Sequence, residues 1–82
     1  PMVIAINNLP PDTPAEEVSR LFAGDSRIES IRFSHDGNAD SNMAIVRFQD
    51  MGRVELNRHV RRLNNHFYQN RQLRAYAPLF FR

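Results

Sequence analysis

The stretch at residues 41–48, SNMAIVRF, constrains the fold more tightly than any other part of the chain. From Met43 onward its side chains alternate with period two, the mark of a strand with two distinct faces. Ala44, Val46 and Phe48 share one face; Met43, Ile45 and Arg47 share the other. Both faces are largely apolar. A strand of this kind belongs inside a sheet, covered on one side and meeting a ligand, a partner or another part of the chain on the second.

The rest of the chain supplies the neighbours. Met2-Val3-Ile4-Ala5-Ile6 reads as a first strand, stopped by Asn8-Leu9-Pro10-Pro11. Thr13-Pro14-Ala15-Glu16 reads as a capping box with proline at the first helical position, and Val18, Leu21 and Phe22 follow at helical spacing before Gly24. Ile28, Ile31 and Phe33 lie in a second extended stretch over 28–34, and His35-Asp36-Gly37-Asn38 carries turn chemistry. After the octamer, Asp50 is placed to cap a helix over 51–64, with Leu56, His59, Val60 and Leu63 on one arc and Arg58, Arg61 and Arg62 on the opposite one. Val54 falls among the arginines, which points to a late or frayed first turn. Asn64-Asn65 can end the helix. Leu73-Arg74-Ala75-Tyr76-Ala77 reads as a fourth strand, stopped by Pro78. The order β-α-β-β-α-β predicts an α+β ferredoxin-like sandwich, a four-stranded antiparallel sheet with both helices on one face.

At 82 residues the chain holds one domain at most, expected over 1–78 with a tail at 79–82. Opening on Pro1, it is expected to be a segment of a larger, multidomain protein. No cysteine is present, which removes disulfides and thiolate metal sites and fits an intracellular protein, nuclear or cytoplasmic. No apolar run reaches membrane-spanning length. Charge is unevenly placed. Residues 1–42 carry three arginines against seven acids, and residues 43–82 carry eight arginines against two acids, with no lysine anywhere. Arginine's planar fork suits phosphates, carboxylates and stacked rings, although basicity alone only hints at nucleic acid.

Several motifs now line up. Ile4-Ala5-Ile6-Asn7-Asn8-Leu9 and Ser41-Asn42-Met43-Ala44-Ile45-Val46-Arg47-Phe48 stand at the spacing of the two ribonucleoprotein motifs, and Leu63-Asn64-Asn65 stands where a Leu-Asn-Gly is common. Over about residues 2–77 the chain resembles the RNA-recognition motif family. The resemblance implies RNA binding on the open sheet face. It also exposes departures: where the family places stacking aromatics, this chain has Ala5, Met43 and Ile45. Aromatic stacking is worth about 1–3 kcal/mol per base, so the resemblance implies weakened contact with single-stranded RNA, helped by other domains of a post-transcriptional regulator.

If the alternation holds, the open face carries Ala5 and Asn7, then Ser30, Arg32 and Ser34, then Met43, Ile45 and Arg47, and finally Arg74 and Tyr76. Tyr76 can stack a base and the arginines can meet phosphate. The alternative is a protein partner anchored on Met43, Ile45 and Tyr76. The adjacent Phe80 and Phe81 can cover the face or lend it rings. A further alternative is a peptide site at His66, Phe67 and Tyr68, as in protein-binding variants of the fold, with Glu16 and Glu17 nearby on the first helix. Ser34-His35-Asp36 holds triad residue types, but consecutive turn residues cannot form a relay. Three histidines without ligand spacing make no metal site, and no glycine-rich phosphate loop is present. The sequence therefore predicts a binding module, not an enzyme, with neither cofactor nor metal.

Overall fold

The computed structural model describes residues 2–35 and 39–78. The turn residues Asp36, Gly37 and Asn38, and the tail with Phe80 and Phe81, lie outside them. The elements are β1 (Met2–Leu9), α1 (Ala15–Leu21), β2 (Ile28–Ser34), β3 (Asn42–Phe48), α2 (Arg53–Leu63), β4 (Phe67–Tyr68), β5 (Arg71–Gln72) and β6 (Arg74–Tyr76). Four strands form one antiparallel sheet in the order β2-β3-β1-β6, and β4 and β5 form a separate hairpin. The octamer thus lies at the centre, beside β1, as its two-sided apolar pattern requires.

One face of the sheet meets the helices. Ile4, Ile6, Ala44, Val46 and Phe48 pack there with Val18 and Phe22 from the first helical segment and Leu56 and Leu63 from α2. Phe22 and Phe48 meet edge to face, ring centroids 5.1 Å apart, a favoured aromatic geometry. Full burial of a Leu, Ile or Phe side chain contributes about 1.5–3 kcal/mol, so this seam is the main source of stability. The ferredoxin-like α+β architecture expected from the sequence is the architecture found.

Element ends differ in instructive ways. Thr13 does not cap α1. Its hydroxyl donates to the Pro10 carbonyl at 2.8 Å, and the residue before the helix is Pro14. The same carbonyl also accepts the Thr13 backbone N–H at 3.2 Å, closing the turn that the two prolines begin. Asp50 does not cap α2 either. It sits at φ 56°, and the helix starts only at Arg53, after Gly52, leaving Met51 buried. Val54 in that late first turn is 70% exposed. The predicted fourth strand is shorter, Arg74–Tyr76, because 67–72 form their own hairpin. Gln69 and Asn70, both at positive φ, give its two-residue turn the mirror-image geometry that suits hairpins.

Candidate nucleic-acid interface

The second sheet face carries the residues that the alternation placed there. Val3, Ala5 and Ile45 form a cluster separate from the main core, with Met43 packed against it. Cross-strand register arranges the face in rungs. Arg32 pairs with Ile45, Ile45 with Ala5, and Ala5 with Tyr76. On one side of this rung Ser34 pairs with Met43 and Asn7 with Arg74; on the other Ser30 pairs with Arg47 and Arg47 with Val3. Strands stand about 4.8 Å apart, so arginines and tyrosine surround a narrow apolar middle.

That middle is less open than the sequence predicts. Ala5 is 1% exposed and Ile45 is 7% exposed. Neither presents area to a partner, which corrects the expectation of an exposed apolar centre. Directly opposed side chains lie within about 5 Å at Cβ, and both residues stand between larger neighbours. Tyr76 contributes most visibly. It is paired with Ala5 on β1, yet its hydroxyl donates to the Met43 sulfur on β3 at 4.0 Å. The ring therefore crosses β1 diagonally. A side chain as small as Ala5 leaves room for it. Tyr76 remains 45% exposed, so the ring is both seated and accessible. Met43 and Arg47 are half-buried, Asn7, Ser30 and Ser34 likewise, and Arg32 and Arg74 are exposed.

A polar recess of about 330 Å³ opens at the end of the face, lined by Asn7, Asn8, Ser34, His35, Ser41, Asn42 and Met43. The register of β1 against β3 shifts between Ile6 and Leu9, where Asn8 takes φ 72°. This bulge turns Asn8 away from the regular alternation. Asn42 is buried, and its side-chain oxygen accepts the Met43 backbone N–H at 3.0 Å. Sequence alternation identified Asn7, Ser34 and Met43 but not Asn8, Ser41 or Asn42. For Asn8 the available signal was the pair of amides just before the two prolines.

Of His66, Phe67 and Tyr68, the first two are exposed and the third is half-buried. Successive strand residues point to opposite faces. Phe67 is 68% exposed, whereas Tyr68 packs against the core. Burial pushes the Tyr68 hydroxyl pKa up, with the nearby Glu17 charge a smaller cause. Among the described residues no group of histidine and acidic side chains is arranged to hold a metal ion. Among the same residues no helix is long and apolar enough to cross a membrane.

Comparison with known proteins agrees with this architecture. The third RNA-recognition domain of Mip6 superposes with a TM-score of 0.75 at 25% identity, over 93% of this chain and 91% of its own. The third such domain of Pes4 gives 0.79 at 21% identity, over 98% and 94%. The Rna15 domain, solved with bound RNA (GU), gives 0.70 at 20% identity, over 95% and 83%. At these last two identities the likeness concerns the fold. A search of curated proteins found no match. The model of the RNA recognition motif matches residues 4–74, and with the strand order and the two-faced octamer this establishes that the chain belongs to the RNA recognition motif family.

Proposed function

We propose that this domain binds single-stranded RNA across its open sheet face and serves a post-transcriptional regulator in the nucleus or cytoplasm. The family is a nonenzymatic fold that generally binds RNA. The observation that carries the reading is Tyr76, a half-exposed ring seated across Ala5 and tied to Met43. It offers one stacking surface at the middle of the sheet, where the usual aromatics are absent. Arg32, Arg47 and Arg74 stand around it within reach of phosphates. Stacking contributes about 1–3 kcal/mol per base. With one ring in place of two or three, affinity is weak, and neighbouring domains of the same protein make up the difference. A protein partner on Met43 and Ile45 finds less support, because Ile45 has little accessible surface.

The test is a titration of the isotopically labelled domain with random single-stranded RNA at low salt, followed residue by residue. Amides of Arg32, Met43, Arg74 and Tyr76 move, and affinity falls as salt rises because phosphate contacts release counterions. Arg74→Ala lowers the salt slope by about one. A titration that leaves every sheet amide in place would rule the reading out.

A further inference from the structure

The helical side of the molecule carries a groove that the sheet does not use. It lies between the end of α1 and the exposed flank of α2 and encloses about 460 Å³. Phe22 and His59 form its aromatic bed, their rings edge to face with centroids 5.2 Å apart. Behind them the His59 ring stacks on Phe48 at 5.9 Å. Arg27 closes one end. Its guanidinium bonds both Asp25 oxygens, at 3.0 and 2.8 Å, and a Glu55 oxygen at 2.6 Å. That arginine is fully committed.

Arg62 is different. Its guanidinium donates to the Leu21 carbonyl at 2.8 Å and meets His59 Nδ1 at 2.9 Å. Both acceptors are neutral. The other imidazole nitrogen, Nε2, stands 3.6 Å from Asp25 and carries the proton in the tautomer this arrangement requires. Arg62 is therefore held in place without a counter-charge among the described residues. Arg58, exposed and without an ion pair among the described residues, stands one turn earlier on the same helical face. Like charges at this spacing repel. The fold fixes one of the pair at the mouth of a groove and leaves the repulsion standing, and an anionic group seated between them removes it.

We infer that this groove is a second docking site, for an acidic peptide segment of a protein partner. Charge complementarity selects the occupant. Arg58 and Arg62, cations without a counter-charge among the described residues, call for carboxylates, but Glu55 lines the same groove with its side chain 45% exposed. A continuous phosphate backbone would meet that carboxylate with like charge. A peptide spaces its acids with neutral residues and offers backbone N–H groups that Glu55 can accept from. The groove is on the opposite side of the sheet from Tyr76, so both faces can be occupied together, and this inference does not depend on RNA binding.

The experiment uses the labelled chain and a short capped peptide alternating glutamate and leucine, with oligouridylate titrated in parallel. The peptide moves the Ala23, Arg58 and Arg62 amides and leaves Tyr76 unmoved. It also raises the His59 titration midpoint, since a carboxylate beside Arg62 offsets the cation that disfavours imidazolium. Arg58→Glu, an exposed charge reversal checked by thermal melting, weakens the peptide about fivefold. Arg62→Ala, which also loses the contact to α1, weakens it about tenfold. The inference is overturned if no groove amide moves, if only sheet amides move, if Arg58→Glu binds as the parent does, or if oligouridylate moves the groove amides at lower concentration than the peptide.

Discussion

Replacing Tyr76 with alanine separates the contribution of its ring from that of the arginines. Tyr76 is the only aromatic side chain on the open face among the described residues, and it belongs to neither the main core nor the Val3–Ala5–Ile45 cluster. Its removal should leave the fold intact while abolishing the one stacking surface. At about 1–3 kcal/mol per stacked base, the dissociation constant of Tyr76→Ala rises roughly 5- to 150-fold. Tyr76→Phe keeps the ring and loses only the hydroxyl's contact to the Met43 sulfur, a weak acceptor, so its affinity stays within about threefold of the parent. The salt slopes of both variants match the parent's, since neither change touches a phosphate contact. Fluorescence anisotropy with labelled oligouridylate at several salt concentrations measures all of this, and thermal melts confirm folding. A folded Tyr76→Ala domain that binds within twofold of the parent would refute base stacking on this ring.

Acid should destabilise the fold in two stages. Burial, and secondarily the Arg62 charge, hold the His59 pKa below its ordinary 6.5, so the unfolded chain takes up that proton first and stability begins to fall below this value. Hydrogen bonds from Arg27 hold the Asp25 carboxyl well below its ordinary 3.8, so its contribution is complete above that value, begins to be lost as pH falls below it, and goes on being lost toward the depressed native value. Urea melts at pH 7, 5 and 3 resolve both stages, and Asp25→Asn, weaker at pH 7, flattens the lower one. Ala23 follows α1 at φ 55°, a left-handed conformation that costs most side chains about 1–2 kcal/mol. Allowing for glycine's extra freedom when unfolded, Ala23→Gly gains up to about 1 kcal/mol and raises the melting temperature by at most about 4–8 °C.

The architecture was legible because it rests on period. Ile4 and Ile6 against Val3 and Ala5, or Val46 and Phe48 against Met43 and Ile45, sort onto two faces by parity alone. The arc of Leu56, Val60 and Leu63 found the core for the same reason. Features set by pairing across distant sequence were not legible. That Ile45 is enclosed depends on neighbours thirteen residues before it and forty before it in β2 and β1. The β4–β5 hairpin has two-residue strands, too short to show a period, and its turn uses Gln69 and Asn70 instead of glycine. The capping signals at Thr13 and Asp50 were real local preferences that lost to a proline turn and to the burial of Met51. The arc of Arg58, Arg61 and Arg62 was visible, but not that Arg62 alone reaches across to the first helix.

The strand order has a consequence for how copies of this protein can adhere to one another. Of the two outer strands, β6 is three residues long and is followed two residues later by Pro78, which has no backbone N–H to offer. The other, β2, offers seven residues, broken by a register shift between Ile28 and Ser30 and carrying the exposed charges Glu29 and Arg32. Intermolecular strand pairing would thus start along β2, and those two charges are the side chains that oppose it.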